Sequence, residues 1–145
     1  MSKEAFVRNL ETYCRRYQNK TGFEVAYDLR HPKAIDLLMD SQKGMGFTPG
    51  SRSGAVYLVA CEVLRLQQPP LNLTRSFDTE IAAKFIGAAF YDVRHGHLRL
   101  IDDELFARLC KRMSKYISDR ELMNRMAMIG IEIIKGCMPQ SSANR

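Results

Sequence analysis

The stretch Asp78–Arg94, DTEIAAKFIGAAFYDVR, decides the fold because it is apolar over most of its circumference. At about 100° per residue, its apolar side chains spread over more than half of a helix surface; they are Ile81, Ala82, Phe85, Ile86, Ala88, Ala89 and Val93. A helix of this kind is normally buried on several sides. The run is too short and too charged for the roughly 20 apolar residues of a membrane span. The sequence therefore predicts a central core helix.

Small residues at two places predict close packing between helices. The central stretch contains Gly87 and four alanines, which let neighbouring helices approach closely. Gly130 lies on the inward face of the last predicted helix, where glycine costs about 1 kcal/mol of helix propensity but permits a close neighbour.

Three further helices are predicted before the central one, from apolar residues at helical spacing and from glycines and prolines that end them. They span Ser2–Lys20, Pro32–Lys43 and Ser53–Gln67, and Phe23–Leu29 is predicted to be an extended connector. The second of these helices has a short apolar side that should be buried, made of Ala34, Ile35, Leu37 and Leu38.

Two more helices follow the central one. The first begins at Asp102, and its predicted core stripe extends as far as Tyr116 and Ile117. The second begins at Ser118, where Glu121 three residues later completes a capping-box pattern, and it ends at Gly136.

The predicted architecture is all-α, a bundle of about six helices around a central buried helix. At 145 residues, the chain has the length of one domain. We expect a single helical domain over 1–138 and a flexible C-terminal tail over 139–145.

Composition favours an acidic partner and a reducing compartment. The formal net charge is +6 and the sequence pI is about 9.3, which favours acidic partners without identifying one. The N-terminus lacks the apolar segment of a signal peptide. The four cysteines are far apart and form no CxxC motif, which predicts reduced thiols in a cytoplasmic protein; they are Cys14, Cys61, Cys110 and Cys137.

Basic residues on two predicted helices are the strongest functional signal. One stripe lies opposite the apolar face of the helix that begins at Asp102, and consists of Arg108, Lys111, Arg112 and Lys115. The first helix carries a second patch, partly neutralised by predicted Glu4–Arg8 and Glu11–Arg15 pairs, and consisting of Arg8, Arg15, Arg16 and Lys20. Such arrays bind phosphates and release counterions. The alternative is a solvated face without a ligand.

The glycine-rich loop Gly44–Gly54 precedes a helix N-terminus, where free N–H groups attract anions. Its candidate anion-binding residues are Lys43, Ser51, Arg52 and Ser53. The spacing matches neither a P-loop nor a dinucleotide fingerprint. The alternative is a flexible connection in which Ser51 or Ser53 caps the next helix.

The segment Asp92–His97 is the one place where a metal could be suspected. His95, His97 and Asp92 are possible ligands, with Asp102 and Asp103 nearby. The alternative is a histidine that interacts with the helix dipole and a second histidine on a surface loop. No cofactor motif or catalytic constellation is visible, so the sequence favours a non-enzymatic protein with no metal and no cofactor.

The last predicted helix is apolar on more than one face, which suggests a protein-binding surface or deep burial. The residues concerned are Met126, Met128, Ile129, Ile131, Ile133 and Ile134. A helix-turn-helix is rejected because Arg120, Asn124 and Arg125 are the only residues of this helix that could read bases.

Two hypotheses follow. The first is a small basic subunit, within a larger assembly, that contacts nucleic-acid backbone and no membrane. The second is a protein–protein adaptor, regulator or chaperone-like module acting through the apolar last helix, alone or as a homodimer.

Overall fold

The structure, a computed structural model, describes residues 3–21, 32–73, 75–99 and 101–138. These residues form six α-helices and no strand, so the predicted all-α class is confirmed. The helices are α1 (Lys3–Thr21), α2 (Pro32–Gly44), α3 (Arg52–Arg65), α4 (Asp78–Arg94), α5 (Asp102–Met113) and α6 (Arg120–Cys137). The predicted connector Phe23–Leu29 and the predicted tail 139–145 lie outside the described residues.

α4 is the central helix, as its apolar circumference predicts. It packs against α3, α5 and α6. Ile86 and Phe90 are fully buried, and the Phe90 ring meets the ring of Tyr13 of α1 edge-on, with centroids 5.5 Å apart. α1 packs mainly on α3 and α6, whereas α5 packs on α4 and α6. The last turn of α4 therefore lies between elements that reach it from both sides of the bundle.

Two glycines allow the closest helix contacts, as predicted. A Cβ at Gly87 would lie 2.9 Å from the backbone oxygen of Ser53 and 2.9 Å from Cζ of Phe47. A Cβ at Gly130 would lie 2.8 Å from Cγ1 of Ile86. Because real Cβ atoms do not approach this closely, a larger residue at either position requires its neighbours to move.

The start of α6 and the end of α5 differ from prediction. Asp119, and not Ser118, is the N-cap of α6, because its backbone is extended and its carboxylate accepts the N–H of Leu122 at 3.1 Å. α5 ends at Met113, so Tyr116 lies in the following turn and is 55% exposed instead of joining the core. Ile117 is buried as predicted.

The burial predicted for α2 is wrong at Leu37, which is 69% exposed. The half-buried face that packs toward the core carries Ile35 together with Leu38 and Met39, which follow it by three and four residues. Leu37 lies off that face. α3 also ends at Arg65, two residues before the predicted end. Among the described residues, no helix is both long and apolar enough to cross a membrane.

Candidate anion-binding site

The basic stripe predicted on α5 is partly neutralised by a residue of α4. Asp92 lies in the last turn of α4, and its Oδ2 is 3.4 Å from Nη1 of Arg108 and 3.7 Å from Nη2 of Arg112. Lys111 is exposed on α5, and Lys115 is exposed in the turn that follows α5. Two of these four cations therefore share one carboxylate, and four positive charges with one negative charge leave a net charge of about +3 on this surface. We call these four residues the α5 basic face.

A second basic region appears where α1, the start of α3 and the end of α4 meet. They border an open cavity of about 540 Å³. Its polar lining is formed by Arg8 and Asn9 of α1, Ser51, Arg52 and Ser53 at the start of α3, and Tyr91, Arg94 and His95 from the end of α4. No Asp or Glu of the described residues lines it. We call this cavity the arginine pocket.

The three arginines of the pocket have no acidic partner among the described residues. In the part of the chain that the structure describes, Arg8, Arg52 and Arg94 form no ion pair, and all three are exposed. The Glu4–Arg8 and Glu11–Arg15 pairs predicted on α1 do not form. The Arg94 guanidinium carbon lies 5.9 Å from the centroid of the Phe90 ring, which helps to place it. An incoming anion would thus meet these guanidinium groups without displacing a carboxylate.

The N-terminus of α3 contributes to the pocket. Ser51 is the N-cap, and its Oγ accepts the N–H of Gly54 at 3.0 Å. The N–H groups of Arg52 and Ser53 lie in the first turn, where no helix carbonyl is available to accept them. The helix dipole adds partial positive charge at this end. Ser51 therefore caps α3, as one of the two alternatives predicted. The same first turn also presents free N–H groups beside cations, as the other alternative requires.

The loop before α3 is held by a buried side chain that the sequence did not single out. Gln42 of α2 is fully buried, and its Oε1 accepts the N–H of Gly50 at 2.7 Å. Gly46 and Gly50 have φ values of 90° and 83°, a region that favours glycine. Lys43, predicted with the loop, is exposed in the last turn of α2 and is absent from the pocket lining. A glutamine near the end of a helix carries no sequence signal for such a role.

The end of α4 gives the pocket an aromatic part. The rings of Tyr91 and His95 stack with centroids 4.0 Å apart and an interplanar angle of 23°. His95 Nδ1 lies 2.9 Å from the carbonyl oxygen of Tyr91. Because a carbonyl oxygen only accepts, Nδ1 carries the proton, and Nε2 is the ring nitrogen that can meet a ligand. Tyr91 itself is 46% exposed.

The pocket and the α5 basic face meet at the last turn of α4. The ring of His97 lies 6.3 Å from that of Tyr91 and 6.1 Å from that of His95. His97 Nδ1 is 3.8 Å from Oδ1 of Asp92, the residue that contacts the arginines of α5. A short chain of side chains therefore joins the two basic regions.

Of the two α1 basic residues whose side chains are described, Arg8 lines the pocket and Arg15 does not. Arg15 is exposed, seven residues further along the helix. The side chains of Arg16 and Lys20 lie outside the described part of the structure.

The segment Asp92–His97 contributes to both basic regions. His95 lines the pocket, and His97 and Asp92 lie beside α5. Among the described residues, no three His, Cys, Asp or Glu side chains come together in a way that could hold a metal ion.

Cys61 and Cys110 are free thiols. The pKa of the Cys61 thiol is raised to about 12, chiefly by burial. A hydrogen bond with Tyr57 acts in the opposite direction but is outweighed. Burial also raises the pKa of Cys110. Thiols held protonated in this way are poor nucleophiles. The side chain of Cys14, predicted to be a reduced core residue, lies outside the described part.

Most of the apolar surface predicted on α6 faces inward. Met126, Ile133 and Ile134 are fully buried, and Ile131 is 6% exposed. Met128 is 62% exposed. One exposed methionine beside half-buried neighbours is ordinary for a protein surface.

Comparison of the chain with protein-family models, with curated proteins and with solved structures finds no match in any of the three. The function must therefore be inferred from the residues of the site.

Proposed function

We propose that this protein is a non-enzymatic basic protein of the cytoplasm that binds the phosphate backbone of nucleic acid. The observation that carries the proposal is the convergence of Arg8, Arg52 and Arg94 on one pocket without an acidic partner in the described part of the chain. The α5 basic face adds a net charge of about +3 close to that pocket. The free thiols of Cys61 and Cys110 fit the reducing cytoplasm.

Arginine suits this task for reasons of geometry. Its planar guanidinium presents five N–H donors and matches the oxygens of a phosphate in a bidentate manner. Each phosphate that is neutralised releases condensed counterions, which makes binding favourable at low salt. The chain of contacts from the pocket through His97 to Asp92 gives a strand a route from one basic region to the other.

The side chains of α6 favour backbone contact over base readout. Arg125 donates to the carbonyl oxygens of Pro69 and Pro70, and the Oδ1 of Asn124 accepts from the Cys110 thiol at 3.6 Å. Two of the three side chains that could have read bases are therefore engaged within the protein. Contacts to phosphates position a protein on nucleic acid but carry little sequence information.

The test is a salt titration of binding to labelled single-stranded and duplex oligonucleotides, followed by fluorescence anisotropy. We expect the logarithm of the binding constant to fall linearly with the logarithm of the salt concentration. A triple variant with Arg8→Gln, Arg52→Gln and Arg94→Gln should reduce the single-strand slope by about two, since each lost phosphate contact removes ~0.7.

The matched control removes three exposed cations that do not line the pocket, by Arg65→Gln, Lys84→Gln and Arg120→Gln. It has the same net charge as the pocket variant and should retain most of the slope. Equal losses in the two variants would reduce the effect to net charge alone. No binding of either oligonucleotide at ~50 mM salt would refute the proposal.

A further inference from the structure

Resting on the proposed function, we infer that the arginine pocket binds one nucleotide that carries a phosphate monoester. The ligand is either the phosphorylated end of a strand or a free mononucleotide, which share this chemistry. The α5 basic face would then hold the ordinary diester backbone that leads away from the pocket.

The size of the cavity indicates a ligand larger than phosphate. Its volume of about 540 Å³ lies within the range of roughly 300–1,000 Å³ found for small-molecule sites. A cavity of this size has room for a sugar and a base in addition to the phosphate.

The charge of the pocket fits a monoester better than a diester. A backbone diester carries one negative charge, whereas a terminal monoester carries about −1.5 to −2 at pH 7 and presents three strong acceptor oxygens. Arg8, Arg52 and Arg94 supply three guanidinium groups, and no described carboxylate competes for them in the lining. The N–H groups of the first turn of α3 add donors from the helix N-terminus.

The aromatic part of the pocket indicates what the rest of the ligand is. Tyr91 is 46% exposed, and its ring stacks on the ring of His95, which also lines the pocket. Aromatic rings at the mouth of a basic groove bind bases by stacking, and they accept any base because every base has a π-face. Asn9, which also lines the pocket, can donate and accept at the edge of a base.

The site is organised before the ligand arrives. Ser51 is fixed by its capping bond to Gly54, and Gly50 is fixed by the buried Gln42. The three arginines form no ion pair with the described residues that binding would have to break. Preorganised sites lose less affinity to ordering than flexible ones.

The experiment is isothermal titration calorimetry of the full chain at about 0.15 M ionic strength. The probes are a nucleoside 5′-monophosphate, the matching nucleoside, inorganic phosphate, and one single strand with either a 5′-phosphate or a 5′-hydroxyl. We expect at least one monophosphate form to bind about tenfold more tightly than its unphosphorylated counterpart. Arg52→Gln with Arg94→Gln should abolish that advantage, whereas Arg65→Gln should preserve it.

The source of the phosphate is read from the same probes. Tight binding of the free mononucleotide identifies a nucleotide site, and tight binding of the phosphorylated strand alone identifies a site for a strand end. Both outcomes support the inference. It is overturned if phosphorylation gives no gain, if the gain survives the double substitution, or if inorganic phosphate binds as tightly as the nucleotide.

The two proposals fail separately. If the 5′-hydroxyl strand binds with a steep salt dependence and phosphorylation adds nothing, the backbone function stands and the pocket inference is wrong. If the mononucleotide binds and neither strand does, the pocket inference stands and the backbone function is wrong.

Discussion

The α5 basic face and the arginine pocket contain similar residues but present them in different ways. On the α5 face, Arg108 and Arg112 share the carboxylate of Asp92, and their side chains are each 36% exposed. In the pocket, Arg8, Arg52 and Arg94 come from three helices and have no described acidic partner. A carboxylate on a neighbouring helix can therefore partly neutralise a basic stripe. Arginines that are far apart in the sequence can instead converge on one cavity without an acidic partner among the described residues.

The largest expected effect on stability comes from a substitution where α4 packs against the start of α3. Gly87→Ala would place a Cβ 2.9 Å from the backbone oxygen of Ser53, so the start of α3 must move away from α4. We expect a loss of about 1–3 kcal/mol in the free energy of unfolding, partly offset by the better helix propensity of alanine. Urea denaturation measures the stability, and calorimetry measures mononucleotide binding to the folded variant, which should weaken.

Gly130→Ala is the matched control, because its Cβ would press on Ile86, and then on Leu109 of α5, without touching the start of α3. It should destabilise the protein but leave mononucleotide binding unchanged. Equal loss of binding in both variants would show that the pocket responds to global destabilisation and does not depend on the position of α3.

A smaller effect is expected from the cap of α3. Ser51→Ala removes the acceptor of the Gly54 N–H and should cost about 1 kcal/mol of stability. Because the first turn of α3 also lines the pocket, mononucleotide affinity should fall as well. Thermal unfolding and calorimetry of the same preparations provide the two measurements.

Asp119→Ala removes the equivalent cap of α6, where Asp119 accepts the N–H of Leu122. Asp119 does not line the pocket, so this variant should lose similar stability and keep its mononucleotide affinity. If Ser51→Ala also keeps its affinity, the N-terminus of α3 takes no part in the site.

The fold could be read from the sequence to a much greater extent than the site. The apolar circumference of Asp78–Arg94 requires burial on several sides, so a central helix follows directly. The errors at Ser118, Tyr116 and Leu37 are local, because helix ends and the margins of apolar faces depend on which neighbour packs there.

The pocket could not be foreseen, because its arginines lie at 8, 52 and 94 and no periodicity connects them. The sequence places Ser51, Arg52 and Ser53 at a helix N-terminus, but the partners that convert this terminus into a pocket come from α1 and α4. The sequence offers Asp92 as a possible metal ligand, whereas its contacts with α5 depend on tertiary packing across 16 and 20 residues of chain. Helical spacing cannot show such contacts.

The smallest expected effect comes from removing the carboxylate of Asp92, which distinguishes the α5 basic face from the arginine pocket. Asp92→Asn leaves Arg108 and Arg112 without their shared carboxylate and raises the net charge of the α5 face by one. We expect the single-strand salt slope to steepen by up to ~0.7 and the affinity at low salt to rise a few-fold, because one more phosphate can be neutralised. Stability should change little, since these ion pairs are long, at 3.4 and 3.7 Å, and partly exposed, and solvent-screened pairs contribute about 0–1 kcal/mol. Glu62→Gln, which frees Arg65 away from the pocket, is the matched control and should leave the slope unchanged. If Asp92→Asn leaves both slope and affinity unchanged, nucleic acid does not contact the α5 face, and backbone binding depends on the arginine pocket.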